Sequence, residues 1–584
     1  MCRLEAPLMI KKAAPALLIT LMCYLLFLFF SPLYIGTDNV TCAIVVDGLF
    51  GPNNYCQYQH PLLCLVVRVL NPLLPSADMF TVVLHLMVAA ALFMMAYTGF
   101  SLLPQISIRH WVVEDWIHLV ILLTTIVFFS AGINLWNNNY TVTAGALVLV
   151  GLTLFTLRDG AGDKSAHLAR KPQSLQIAAL FLISLGFMLR KESGLLFLPF
   201  IALDVLRRSI ETKSSRALHR FIPLMIVIAT VIITQAAFNS IEPYATATRY
   251  NAARTACVDF PMKNWDEGMG VEQADYTAAT SWVYADTEAL DANTLSQIAA
   301  AGARDAYSHD WQGLQGVLGE MCKTLFHTDL YMSVLVIITA ILAFHNLICS
   351  SPWRKLETVL AVLGAFIILS YFTMRGRAPM RVWEPVLFAA DWVLLSATTH
   401  SPSPVLPNGE TEKQPPKKHG MIEAVSTVSI LLIAIVLWFG AGQVIAHSER
   451  NAGIQTALTA RADSDDSKFE GTENGLYIWP QWWSTVQHYY SAQGKLPPKE
   501  VLQHNIPLGF WVSGQVYFNE MLNTQGTPNP ATALLDRSDV FLVEGQEETL
   551  LAQMKAHYGE DLRLMEAGTL AEGQKLYRVV REEN

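Results

Sequence analysis

Long apolar runs, interrupted by short polar stretches, organise this chain from Ala13 to Ala446. About 20 apolar residues suffice for a helix to cross a hydrocarbon layer, and runs of that length recur here. The pattern predicts helices over Ala13–Ile35, Met79–Phe100, Trp116–Ile133, Thr141–Leu157, Leu175–Leu189, Gly194–Leu206, Phe221–Phe238, Tyr331–Cys349, Thr358–Met374, Val382–Thr398 and Val425–Ala446, about 11 in all. The fifth and sixth are short; read as a re-entrant pair, they leave the parity of the later helices unchanged. Beyond Ala446 the period changes. Gly475–Trp479, Ser538–Glu544 and Lys575–Arg581 read as strands, and Glu547–Tyr558 reads as a helix. The expected architecture is a polytopic α-helical membrane protein. Residues 1–446 form a transmembrane domain with large loops at 36–78 and 239–327, and residues 447–584 form a C-terminal α/β domain. That last piece, 138 residues, is long enough for its own core. Ser401–Gly420 is Pro-rich and polar and reads as a linker. No internal repeat is visible.

Composition supports the membrane reading. Of 584 residues 52% are hydrophobic and only 15% charged, with a mean hydropathy of +0.33. A soluble chain carries about a quarter charged residues. The net charge of −9 says little about nucleic acid, but no basic arm or aromatic-basic stripe is visible and no nucleic-acid partner is expected. The first helix begins with Lys11 and Lys12, is too long for a signal-peptide core and has no small-residue cleavage site after it, so it reads as a retained anchor. Lysine and arginine set the orientation. One set of short loops, together with the N-terminus, holds 18 of them and the opposite set holds six, Arg68, Arg190, Lys191, Arg375, Arg377 and Arg381. The N-terminus is therefore expected in the cytoplasm of a plasma-membrane protein. The C-terminal domain and the two large loops are expected outside.

The eight cysteines show no C-x-x-C spacing. Cys42 and Cys56 share one outer loop and Cys257 and Cys322 another, which permits two disulfides; small buried thiols fit the sequence as well. No cluster has metal-ligand spacing, and no metal site is expected.

Several residues are candidates for chemistry. Asp38 follows the first helix in GTDNV, where it either caps the next helix or serves as a general base at the membrane surface. Asp47 and His60 are weaker candidates in the same loop; Pro61 can start a helix that His60 caps. Arg190 and Lys191 in RKESG, and Arg375, Arg377 and Arg381 in RGRAPMRVWEP, stand on the face that the positive-inside rule disfavours. Snorkelling anchors would explain them singly. Five cations in two short loops favour an anionic ligand, and arginine matches phosphate with paired donors. Glu384 and Asp391 lie inside a predicted helix, where an acid is a functional candidate, although Glu384 is close enough to the helix end to pair with a neighbouring arginine. The Asn-rich NLWNNNY (Asn134–Tyr140) reads first as a turn. Trp479, Trp482, Trp483, Tyr489 and Tyr490 read first as core and surface aromatics rather than a glycan site.

Taken together, Asp38 after the first helix, HPLL at His60, RKESGLLFLPF and RGRAPMRVWEP resemble the GT-C superfamily of membrane glycosyltransferases, in particular protein O-mannosyltransferases and aminoarabinose transferases. Segments like RYNAARTACVDFP (Arg249–Pro261) and WVYADTEALD (Trp282–Asp291) resemble bacterial members of that superfamily more closely. The resemblance implies transfer of a sugar, usually with inversion, from a polyprenyl-phosphate-linked donor to a glycan, lipid or protein acceptor on the outer face among membrane lipids. Carried over, Asp38 would be the base, and Arg190, Lys191, Arg375, Arg377 and Arg381 would bind the donor phosphate. The sequence departs from the pattern where a second acid would follow Asp38 and Asn39 stands instead, and where one proline replaces two after His60. The missing second acid points to a metal-independent mechanism, and no cofactor is expected. A transporter or flippase for a lipid-linked glycan, or a non-catalytic assembly partner, is the alternative.

Overall fold

The computed structural model describes residues 6–29, 37–51, 53–73, 78–102, 139–157, 173–213, 215–328, 330–377, 380–398, 475–480, 504–570 and 574–582. The helices expected at Trp116–Ile133 and Val425–Ala446 and the linker Ser401–Gly420 lie outside the described residues. The first half runs through α1 Ala6–Phe29, α2 Thr37–Val46, α3 Pro61–Leu70, α4 Met79–Leu102, α5 Tyr140–Leu157 and α6 Gln173–Leu189. There follow α7 Lys191–Leu195, α8 Leu198–Thr212 and α9 Arg216–Asn239. Among the described residues three stretches are long and apolar enough to cross a membrane: Met79–Tyr97, Leu218–Asn239 and Pro352–Met374. The second leaves Ile222, Ile226 and Ile233 exposed, and the third Leu363, Phe366 and Ile367. Apolar faces of that extent suit a lipid environment.

Glycine sets the spacing of the bundle. α5 and α6 form an antiparallel pair in which Gly186 lies against Ala144 and Val148 of α5, and Gly151 lies against Ala179 and Ile183 of α6. A Cβ added at Gly186 would stand 2.7 Å from the Ala144 carbonyl oxygen, and one at Gly151 2.6 Å from the Ile183 side chain. In lipid, helices associate by close packing at small residues rather than by the hydrophobic effect. A third glycine, Gly145, receives Pro385 of α16 (Met380–Thr398), where a Cβ would stand 3.1 Å from the proline ring.

The expected single helix Gly194–Leu206 is instead two pieces, α7 and α8. Gly194 packs against the ring of Phe187, and Pro199 in the first turn of α8 starts a new helix, since proline fits where no backbone donor is needed. α8 also continues past Leu206 into charged sequence. Its Arg207 and Arg208, expected as loop cations, are buried. Arg207 pairs with Asp204 at 2.8 Å and with Glu211 at 2.5 Å. It also reaches Glu357 on α15 (Pro352–Met374) at 2.7 Å, and Arg208 meets Asp204 at 2.7 Å. Ser396 of α16 donates to Asp204 at 3.1 Å. Charges taken out of water need such partners, and here they tie α8 to α15 and α16.

Between α9 and α14 (Leu330–Cys349) stands a helical insertion, with α10 Tyr244–Val258, α11 Gln273–Thr280, α12 Ala292–Gly302 and α13 Trp311–Lys323. Asp291 and Asp310 cap α12 and α13 by accepting from Thr294 N and Gly313 N. The insertion is held to the end of α15 by Ala306 N donating to Met374 O at 2.9 Å.

The C-terminal domain is the expected α/β piece. Its elements are β1 Leu476–Trp479, β2 Asn505–Pro507, α17 Val516–Thr524, α18 Pro530–Asp536, β3 Val540–Val543, α19 Glu547–Tyr558, β4 Leu562–Thr569 and β5 Lys575–Arg581. The sheet order is β2-β1-β3-β5-β4, parallel among the first three strands and antiparallel beyond. β2, three residues long, and β4, mostly solvent-facing, have too little apolar alternation to stand out in sequence. Trp479 is buried and donates to Asn505 at 2.6 Å, so it belongs to the core; Trp482, Trp483, Tyr489 and Tyr490 lie outside the described residues. The domain docks on the insertion through Asp275, which accepts from Gln553 and meets His557 Nε2 at 3.0 Å, and through Asp286, which accepts from Tyr558 at 2.7 Å.

The glycine seam gives a direct test. Gly186→Leu is expected to destabilise the protein by about 1–3 kcal/mol through overpacking. Gly364→Leu, on α15 with no atom within 4 Å of an added Cβ, is expected to be near neutral. Thermal unfolding in detergent would compare them; equal midpoints for the two variants would contradict the seam.

Candidate functional site

α6 ends and α5 begins at the same edge of the bundle. Asn139 caps α5 by accepting from Thr141 N at 2.8 Å, which places Tyr140 in the first turn. Arg190, one residue past α6, donates to the Tyr140 hydroxyl at 3.0 Å, contacts Glu192 at 3.0 Å and lies 4.3 Å over the ring of Tyr58. These groups form one wall of a cavity of about 260 Å³. The insertion adds Arg254, Asp259 and Trp282; the α15–α16 connection adds Phe372, Arg377, Arg381 and Val382; the C-terminal domain adds Trp511. Four guanidinium groups face two carboxylates, Glu192 and Asp259, a formal excess of two positive charges. The volume lies just under the range of about 300–1,000 Å³ usual for a complete small-molecule site, a size for a compact polar headgroup rather than a lipid chain.

The arginines differ in their partners. Arg377 pairs with Asp259 at 2.6 Å and lies over Phe260. Arg254 is only 2% exposed. Its Nη2 donates to Asn251 at 2.8 Å, Thr255 at 3.1 Å and Tyr58 at 3.2 Å, and its guanidinium sits 5.5 Å from the Trp282 ring centre. All of these partners are neutral, and among the described residues no carboxylate pairs with Arg254. A buried cation without a counter-ion is costly, so this cavity favours an anion.

Of the residues singled out in sequence, the fold brings Arg190, Arg377 and Arg381 to the cavity. Lys191, half-buried in the first turn of α7, does not line it. Neither does Arg375, which pairs with Asp305 at 2.5 Å and stacks on Phe260 at 4.6 Å. Asp38 stands in the first turn of α2, whose chain leads to Tyr58; its side chain lies outside the described part of that helix. His60 is the N-cap of α3: its Nδ1 accepts from Leu62 N at 3.2 Å, its Nε2 meets the Thr234 hydroxyl at 2.8 Å, and burial lowers its pKa, so a neutral ring with the proton on Nε2 satisfies both contacts. Glu384 and Asp391 are buried within α16 and are not among the residues that line the cavity. Cys42 and Cys56 are neighbouring thiols not joined by a disulfide, 3.6 Å between sulfurs, while Cys257 and Cys322 are separate thiols, one buried and one exposed.

Arg254, Asp259, Glu192, Trp282 and Trp511 were not singled out as site residues. Arg254 and Asp259 lie in the Arg249–Pro261 segment quoted for its resemblance, and Arg254 stands there in a run of small residues, Asn251–Ala256, that offers it no acid. That local isolation is the signal the sequence holds. Trp511 sits more than 200 residues further on, and only tertiary contact connects the two.

No family model matches the chain, and no curated protein matches it. Among solved structures it is similar to the crystal structure of ArnT from Cupriavidus metallidurans bound to undecaprenyl phosphate, at 10% sequence identity and a TM-score of 0.48, over 97% of this chain and 98% of that one.

Asp47 shows a second electrostatic feature. Burial first, and then the charge of Asp78 beside it, push its carboxyl from the ordinary 3.8 up to about 8. Between those values the folded protein holds a proton that the unfolded chain has released, so stability falls as pH rises through the window. Asp47→Asn removes the ionisation. The variant is expected to show a flatter dependence of thermal midpoint on pH from about 4 to 8, with its largest advantage over wild type at the alkaline end. Parallel profiles for the two proteins would contradict the assignment.

Proposed function

We propose that this chain is a membrane glycosyltransferase of the GT-C type. It would move a sugar from a polyprenyl-phosphate-linked donor to a glycan, lipid or protein acceptor on the outer face of the cell membrane. The observation that carries the reading is Arg254, buried on the cavity wall with neutral partners alone and joined there by Arg190, Arg377 and Arg381. An anionic headgroup supplies the missing counter-charge. A phosphate linked to a membrane lipid carries that charge, and the cavity volume suits a sugar phosphate.

The chemistry follows from the charges. When an acceptor hydroxyl attacks the anomeric carbon, the bond from that carbon to the phosphate oxygen breaks and the leaving phosphate gains a negative charge. Guanidinium groups fixed around it stabilise that charge as it develops. The hydroxyl loses its proton to a carboxylate. We assign that role to Asp38, in the first turn of the helix that leads into the Tyr58 loop.

Arg254→Met, Arg377→Ala and Arg381→Ala are each expected to weaken donor binding about tenfold to a hundredfold, the effect of one charge-assisted bond of roughly 1.5–3 kcal/mol. Arg254→Met should be the most severe, because Arg377 already holds Asp259. Unchanged affinity in all three would return the arginines to a structural role.

Asp38→Asn is expected to lower transfer of radiolabelled sugar in membranes by about 10²- to 10⁴-fold with donor binding nearly intact. Near-wild-type transfer by Asp38→Asn, with loss in Glu192→Gln or Asp259→Asn, would move the base to the cavity wall. Full activity in all three would argue against acid–base transfer altogether.

A further inference from the structure

Two indoles reach the cavity wall from distant parts of the chain, one at a strained backbone position and the other in a glycine-bounded turn. Trp282 has φ +64°, a left-handed conformation that a bulky residue rarely adopts. Trp511 stands in the turn Gly509–Gly514, between two glycines with φ +79° and +72°. That turn is pressed against the insertion. A Cβ at Gly509 would run into the carbonyl oxygen of Trp282, and one at Gly514 into the ring of Tyr250. Trp511 then meets Tyr58 edge to face, 5.1 Å between ring centres, and Trp282 lies under Arg254. Three unusual backbone positions thus converge on one pair of aromatic side chains. A left-handed backbone at a residue as bulky as Trp282 is costly, and such positions cluster at ligand sites.

We propose that Trp282 and Trp511 form a clamp for the sugar ring of the donor, and that the C-terminal domain is for that reason part of the donor site. This rests on the glycosyltransferase reading and names its sugar subsite. Indole faces take up the C–H faces of a pyranose, while Arg254 next to Trp282 holds the phosphate attached to it. The arrangement separates two recognition tasks: arginine reads the charge, tryptophan reads the ring.

Trp282→Gly is the informative variant. Glycine adopts φ +64° without strain, so the backbone keeps its course while the indole is lost. Trp511→Phe and Trp511→Ala complete the set. Binding would be measured on the full-length protein in detergent, without acceptor. The probes are undecaprenyl phosphate and undecaprenyl phosphate carrying glucose, mannose, galactose or N-acetylglucosamine.

Wild type is expected to bind at least one glycosylated lipid more tightly than the sugar-free one. Trp282→Gly and Trp511→Ala are expected to lose that preference by roughly tenfold, with sugar-free affinity unchanged and Trp511→Phe intermediate. Equal loss for both kinds of lipid, or no loss, would overturn the clamp. Wild type that binds sugar-free and glycosylated lipids alike would overturn the clamp and leave the phosphate reading standing. Wild type that binds neither would remove both.

Discussion

The close approach of α5 and α6 is the constraint on which the cavity depends. Gly186 and Gly151 let the two backbones meet, with Ala144, Val148, Ala179 and Ile183 filling the space opposite. In an antiparallel pair this contact fixes the register, and the register brings Tyr140 and Arg190 side by side at one end. Gly145 extends the effect to α16, whose first turn carries Arg381 and Val382 into the same wall. Three glycines within the bundle therefore determine where charge stands at its edge. A larger residue at Gly151 or Gly186 would meet backbone of the facing helix and press the pair apart.

Buried charge is handled in two opposite ways in this molecule. Around α8, Arg207 and Arg208 are met by Asp204, Glu211 and Glu357, and the cluster joins three helices. Each ion there has its counter-ion, so the interior desolvation cost, several kcal/mol per ion, is largely offset. In the cavity Arg254 is as deeply buried but has only amide, hydroxyl and aromatic partners. The first arrangement is complete in the protein alone. The second has no carboxylate partner among the described residues, and under the proposed function a ligand's anionic group fills that place.

Buried polar contacts join the insertion to the C-terminal domain. Asp275 and Asp286, both buried, accept from groups on α19. Phe50 of the first loop stacks on Tyr517 with 5.6 Å between ring centres. These contacts hold the Gly509–Gly514 turn in place, and with it Trp511. A domain that sequence marks only as a separate α/β unit thus supplies a wall of the cavity.

Sequence alone determined the elements whose burial pattern is local. The apolar runs that became α5, α6, α9, α14 and α15 are legible because a helix in lipid needs length and apolarity, and both are written in consecutive residues. The strands β1, β3 and β5 and the helix α19 were legible for the related reason that their periods are short. His60 was readable as a cap, since capping is a contact within three residues, whereas Asn139 was read only as part of a turn and proves to cap α5. The break at Leu196–Phe197 was not legible, because continuing a helix there fails only through the packing of Gly194 on Phe187 and the start that Pro199 gives to α8. Among the cations, sequence supplied a set of five with one expected face. Only the tertiary structure sorted them, giving Arg375 to Asp305 and bringing Arg190, Arg377 and Arg381 together with Arg254. Charge partners and cavity walls come from residues tens to hundreds of positions apart, so their assembly is decided by packing and not by any local pattern.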